Sequence, residues 1–255
     1  MEKEEKKPKK KKKQLRLWIV LLFMLVCLAG TIYYSYKIIL WEMNVKENTS
    51  IQKKLDRHII IDKKDKEKPF RVDFKELQNR NSDTIAYIQV NGTNIHYVVV
   101  KGTNNSYYLS HNFDKKWNLA GWVFADYHNK FDESDKNIII YAHNMKDGSM
   151  FETLKNTLNK EWYSNKKNHI VTLVTVKGIY KYQVFSTYSI EPEDYYINTS
   201  FNDDNEYLKF LDTLKNRSVY NYDVSLSIND KILTLSSCLG DGSKRVVLHA
   251  KLIKE

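Results

Sequence analysis

Residues 17–36 run for twenty positions without a charge. At about 1.5 Å rise per residue, a helix of that length covers the roughly 30 Å hydrocarbon core of a bilayer. A signal peptide is the rival, but its apolar stretch is usually shorter, and a clean small-x-small cleavage site is missing here. Beyond this run the hydrophobic period changes. Residues 41–68 are polar and lysine-rich, with Val45, Ile51 and Leu55 at loosely helical spacing, and Pro69 ends the stretch. This predicts a helical stalk over 37–69, followed by one domain over 70–255 with enough chain for a substantial core.

That domain alternates with the period of a pleated sheet. Residues 84–90, 93–101, 121–127, 137–143, 169–176, 179–190, 231–238 and 245–253 are rich in β-branched and aromatic residues. Asn91-Gly92 and Lys177-Gly178 supply tight turns. Eight short strands predict a mainly β fold closed into a barrel or sandwich. Two helices flank it. Ser149 with Glu152 has the spacing of a capping box for a helix over 149–160. Over 203–217, Tyr207, Phe210, Leu211 and Leu214 fall on one face behind a capping Asp203 or Asp204.

Charge alters the picture mainly at the N-terminus. The chain carries a formal +10, but residues 1–16 hold eight lysines and one arginine against three glutamates. Without them, thirty-two basic and twenty-eight acidic residues leave only +4. The basic run reads as a cytoplasmic tail that orients a single-pass membrane protein, with the domain outside the cell. No zinc-finger spacing, aromatic-basic repeat or helix-turn-helix pattern points to nucleic acid, so no such partner is expected.

Cysteine usage gives the candidate chemistry. Cys27 lies within the apolar run, which leaves Cys238 as the only cysteine of the exported part. A lone extracellular thiol is exposed to oxidation, and a nucleophile is the reading that explains its presence best. It ends the strand 231–238, whose alternation groups Cys238 with Ser236, Thr234 and Ile232. If strand 245–253 pairs alongside, Arg245 returns next to Cys238, where its fixed charge favours thiolate and its five donors suit an oxyanion. A thiol nucleophile wants a base, and His143, at the polar end of strand 137–143, is the best placed of seven histidines; a merely solvated histidine is the competing reading. His249 lies on the Arg245 face about 13 Å further along.

These residues resemble a known family. Thr234-Leu235-Ser236-Ser237-Cys238, with Arg245 seven positions later, is similar to the sortase signature, and 141–151, Tyr-Ala-His-Asn-Met-Lys-Asp-Gly-Ser-Met-Phe, resembles the histidine segment of class B sortases. The resemblance extends over about residues 70–255 in element order. It implies an eight-stranded sortase-type β-barrel and a membrane-anchored cysteine transpeptidase of Gram-positive cell surfaces, with no metal or cofactor. Cys238 would take the acyl group of a C-terminal sorting signal of the NPxTN or (N/S)PxTG type, cut after threonine. His143 would move protons, Arg245 would hold the carbonyl or oxyanion, and an amine of peptidoglycan or its precursor would resolve the thioester. It also implies substrate-groove positions at Asn105, Leu109, Tyr141, Tyr196, Ile197 and Ser236. Ser237 stands where threonine is common, Leu239 where some members carry an acid, and 191–195 matches loosely, in a loop that helps select the signal. Two other readings compete on the residues alone: a hydrolytic cysteine peptidase, and a surface-anchored binding module with Cys238 as a small buried hydrophobe.

Overall fold

The structure is a computed structural model that describes residues 10–62, 69–239 and 244–254, without the side chains of 10–15, 238, 239 and 254. The Cys238 side chain, the connection 240–243, residues 1–9 of the basic tail and residues 63–68 of the stalk therefore lie outside the described residues. Two compact units divide the chain, Met1–Asn44 and Val45–Glu255.

The first unit is helical. α1 runs Lys10–Leu55, and its apolar stretch leaves Leu17, Trp18, Phe23, Leu25 and Tyr34 more than half exposed. Among the described residues this is one helix long and apolar enough to cross a membrane. Its last turns, in the second unit, bury Ile51 and Leu55.

The helical stretch expected up to Pro69 ends early. After a 3₁₀ turn at Asp56–His58, the three isoleucines of β1 (Ile59–Ile61) pair antiparallel with β2 (Phe70–Val72). Consecutive β-branched residues favour that pairing over a further helical turn. α2 (Phe74–Arg80) follows, with Asp73 accepting from the Glu76 amide at 3.1 Å.

The eight expected strands form the barrel: β3 (Thr84–Val90), β4 (His96–Val100), β5 (Phe124–Ala125), β6 (Asn137–Ala142), β7 (Ile170–Thr175), β8 (Ile179–Ile190), β9 (Ile232–Leu239) and β10 (Lys244–Lys254). Their closed order is β10-β8-β7-β3-β4-β5-β6-β9. The β4–β5 and β6–β9 pairs are parallel and the others antiparallel. Several bounds differ from the sequence pattern. The β3–β4 connection is wider than a two-residue turn, because Val90 still bonds to the Ile95 carbonyl and Thr93 ties the loop at both ends. Within 121–127, only Phe124 and Ala125 pair.

The helix expected to open at Ser149 does not. Met150 has φ of +56°, the left-handed region, and this breaks the chain between the supposed cap and its helix. Ser149 Oγ instead bonds Asp147, and Glu152 pairs with Lys155. A 3₁₀ segment, Glu152–Leu158, and the short α3, Lys160–Ser164, follow. α4 (Asp204–Asn216) matches its expectation. Asp203 accepts from the Glu206 amide at 2.8 Å, which satisfies one orphan amide of the first turn, and the Glu206 carboxylate accepts from Asn202 N, just before the cap, at 2.7 Å. Its Tyr207, Phe210, Leu211 and Leu214 are all buried. Ser186 Oγ of β8 takes the Leu214 carbonyl at 2.6 Å.

That helix explains why β9 and β10 are buried on both faces. Ile232 and Val247 join the cluster of Phe185, Tyr188, Tyr196 and the α4 residues. By alternation, Leu233, Leu235, Leu248 and Ala250 face the barrel interior, and all are fully buried. The covered outer face of β9 and β10 is where the polar residues gather.

Candidate active site

Strand pairing sets the candidate residues side by side. β9 lies between β6, to which it is parallel, and β10, to which it is antiparallel. Cys238 pairs with Arg245 on one side. On the other, the ladder ends at Ala142↔Ser237, so His143 is the position that comes level with Cys238. With strands roughly 4.8 Å apart, the backbone of Arg245 lies about one strand spacing from that of Cys238, and His143 is the residue just past the β6 ladder on the other side. Residues 95 and 102 positions apart in sequence are thereby brought into one row.

The His143 ring is half-buried, and its Nε2 lies 2.8 Å from the Leu109 carbonyl. A carbonyl only accepts, so Nε2 carries the hydrogen and Nδ1 is left to take up or release a proton. Leu109 closes the 3₁₀ turn Tyr107–Leu109, itself 41% exposed. The backbone at 143 is held as well, since the His143 carbonyl accepts from Phe151 N at 2.9 Å and Tyr97 OH accepts from Met150 N at 2.8 Å. The left-handed Met150 thus serves to return the loop onto the strand end.

Gly121 controls the Leu109 carbonyl. Its φ is +55°, and a methyl group there would sit 2.3 Å from the Tyr108 oxygen and 2.8 Å from the Leu109 oxygen. Gly121→Ala is therefore expected to displace the acceptor of His143. Activity should fall about tenfold or more, and stability by about 2 kcal/mol or more, on the scale of an unfavourable left-handed residue plus a backbone clash. Steady-state kinetics beside a urea titration would check it; unchanged activity means the carbonyl does not orient the ring.

A second group forms around Arg245. Its Nη1 donates to Tyr196 OH at 3.2 Å, and Tyr196 OH lies 2.9 Å from Ser236 Oγ. Tyr196 is fully buried on the 3₁₀ turn Tyr195–Ile197, and Ile197 packs partly buried against the same cluster. Arg245, Tyr196 and Ser236 are thus joined, with Ile197 beside them. A third group centres on Asp126, which the sequence reading missed. This buried carboxylate accepts from Asn105 Nδ2 at 2.7 Å and Tyr141 OH at 2.9 Å through one oxygen, and from His128 Nδ1 and N through the other. Its sequence signal was an aspartate interrupting the aromatic run 121–127. Burial and then the Asp126 charge raise the Tyr141 hydroxyl well above its usual range, with Arg245 opposing them. Tyr141 pairs with Ser236 across β6 and β9, which links the second and third groups.

His249 is placed as expected relative to Arg245, on the same strand opposite Thr234. It is fully buried, and burial lowers its pKa from 6.5 to about 3. The unfolded imidazole protonates near pH 6.5 while the native ring stays neutral, so between about pH 6.5 and 3 the unfolded state binds the extra proton. Stability therefore rises with pH across that window and is lost as acid is added. Between pH 6.5 and 5 the loss from this group is about 2 kcal/mol. His169, also lowered by burial, acts in the same direction. Urea midpoints at pH 6.5 and 5 should differ by less in His249→Asn than in the native chain. An equal drop in both would show that His249 does not titrate this way.

A family model described as the sortase domain matches residues 88–253. Sortase B of Staphylococcus aureus is 32% identical over 226 residues, covering 88% of this chain and 92% of that one. Two solved structures are similar at comparable identity. Sortase B from Bacillus anthracis in complex with AAEK1 is 34% identical, with a TM-score of 0.72, over 84% of this chain and 99% of that one. A Staphylococcus aureus sortase B-substrate complex is 32% identical, with a TM-score of 0.71, over 83% and 99%. The barrel and these matches together define a cysteine transpeptidase. The chain belongs to the sortase family, as a member of its class B.

Proposed function

We propose that this transpeptidase is a single-pass membrane protein held by residues 17–36. Tail 1–16 is cytoplasmic, 37–69 forms the stalk and 70–255 the extracellular catalytic domain. Its substrate is a surface protein with a C-terminal sorting signal of the NPxTN or (N/S)PxTG type. The Cys238 thiolate attacks the threonine carbonyl, the C–N bond to the next residue breaks, and protonated His143 gives that nitrogen its proton. A thioester on Cys238 remains. An amine of peptidoglycan or its precursor then attacks it; His143 takes the amine's proton, the C–S bond breaks and the thiolate returns. Arg245 steadies the oxyanion of both tetrahedral intermediates. Asn105, Leu109, Tyr141, Tyr196, Ile197 and Ser236 line the groove.

The observation that carries this reading is the register of β6, β9 and β10, which puts His143 and Arg245 on either side of Cys238. The Nδ1 left open by the Leu109 bond supports the proton-transfer role. The similar Staphylococcus aureus sortase B, solved as a substrate complex, supports a substrate-binding role for this fold. Product analysis tests it: with peptides of these signal types, added amine should divert product from free acid to amide in proportion to its concentration. Hydrolysis unaffected by amine would favour the peptidase reading, and no cleavage of any such peptide would overturn the substrate.

A further inference from the structure

A chain of buried and half-buried hydrogen bonds begins on the short turn Tyr195–Ile197 and returns to it and to its C-cap, Asn198. Tyr195 OH donates to Tyr188 OH at 2.8 Å. Tyr188 OH lies 2.9 Å from His249 Nε2, and His249 Nδ1 lies 2.9 Å from Thr234 Oγ1. Thr234 donates its hydrogen to Asn137 Oδ1 at 2.7 Å, and Asn137 Nδ2 reaches the carbonyls of Asn198 at 2.9 Å and Tyr196 at 3.4 Å.

Counting hydrogens fixes the direction of every link. Asn137 faces two carbonyls with its nitrogen, so its oxygen must accept. Thr234 has one hydrogen and spends it there, which leaves its oxygen to accept from His249 Nδ1. The neutral ring then carries its hydrogen on Nδ1, and Nε2 can only accept from Tyr188. Tyr188, having donated, receives the Tyr195 hydrogen. A protonated ring would need a second acceptor, and Tyr188 would have to reverse its own hydrogen and displace Tyr195's.

We infer that His249 and Tyr195 are positioning residues that fix the turn Tyr195–Ile197 and, through Tyr196 OH, the Arg245 guanidinium, a reading that rests on the role of Arg245 proposed above. The turn has no regular secondary structure of its own beyond one 3₁₀ bend. The chain clamps it on both sides of Tyr196, whose hydroxyl is Arg245's partner at 3.2 Å. A core network serving stability alone has no reason to enter and leave through the residues flanking that tyrosine. Low-dielectric surroundings strengthen each bond and make a reversed link costly, so the turn has one arrangement.

The test is a double-mutant cycle on the full-length protein, read as kcat/KM for acylation with a sorting peptide beside a thermal melt. Tyr195→Phe removes one half-buried hydroxyl and is expected to lower kcat/KM about 5-fold to 10-fold in the native background but less than about 2-fold in Tyr196→Phe, where the route to Arg245 is already cut. His249→Asn should behave alike; if it does not fold, Tyr195→Phe decides alone. Equal losses in both backgrounds, or none in either, overturn the inference. Arg245→Ala runs beside them: full activity there removes the proposed role of Arg245 and this inference with it, whereas a large loss there with an unaffected Tyr195→Phe overturns this inference only.

Discussion

Replacing Cys238 with alanine is expected to lower both transpeptidation and hydrolysis at least about 10³-fold and to remove any acyl adduct from the intact mass of the protein. The reaction as proposed passes through a covalent thioester, and alanine offers no atom to form it. A thousandfold loss is about 4 kcal/mol of transition-state stabilisation, a modest demand for a group that forms and breaks bonds. Cys238→Ser should be nearly as poor. A free thiol is a few per cent ionised at neutral pH, and in the mechanism proposed above Arg245 and the imidazolium would favour that fraction. A serine hydroxyl has no comparable anion to draw on. Folding should survive, since the change removes one sulfur at the strand's last turns of pairing and leaves β9 hydrogen-bonded on both sides through Ser237. Retained turnover in Cys238→Ala, with the melt unchanged, would place the nucleophile elsewhere.

How far the sequence led differs from element to element. β8 and α4 were legible to within a residue because their signals are local: an alternation of β-branched and aromatic residues over 179–190, and four apolar residues at helical spacing behind Asp203. The Ser149 helix failed because the capping spacing is also local, and nothing in the sequence announces that Met150 takes a left-handed φ to carry the chain back onto His143. β1 was missed because its partner, β2, lies beyond Pro69 and supplies the pairing from outside the segment. The row of His143, Cys238 and Arg245 was partly visible. The Cys238–Arg245 pairing follows from two neighbouring strands, but the parallel approach of β6 crosses about ninety residues and came only with the family resemblance.

Side-chain partnerships were least legible. Asp126 looked like an interruption in a strand, yet it gathers Asn105 and Tyr141 under one carboxylate oxygen. Its charge, taken out of water, is tolerable because four donors converge on it. The positions expected in a groove came from resemblance alone; the structure joins Asn105 and Tyr141 through Asp126, and Tyr196 and Ser236 to Arg245, the two sets meeting at the Tyr141↔Ser236 pair, while Leu109 stands apart on His143. His249 was set aside on distance from Cys238, yet its bonds to Tyr188 and Thr234 run sideways, toward a turn more than fifty residues away in sequence.

His143→Ala is expected to lower kcat/KM for a peptide substrate about 10²-fold to 10⁴-fold, the range for losing a positioned general acid and base. His143→Gln should be as poor. Its amide can still donate to the Leu109 carbonyl, so the backbone contact is kept, but it cannot carry a proton in either direction. Two properties of His143 could each produce such a loss: proton delivery to the departing amine, and a positive charge that holds the Cys238 thiolate. The leaving group separates them. An amide nitrogen must be protonated to depart, whereas a thiophenyl ester leaves as a stable anion and needs no acid. If proton delivery dominates, both variants should acylate the thioester substrate within about tenfold of the native rate while their amide turnover stays near zero. Resolution by amine should remain slow with either substrate, because the same Nδ1 must remove the amine's proton. An equal loss on amide and thioester would move the role of His143 from acid to counter-ion for the thiolate. Full activity on the amide in either variant would leave the open Nδ1 of His143 without a catalytic purpose.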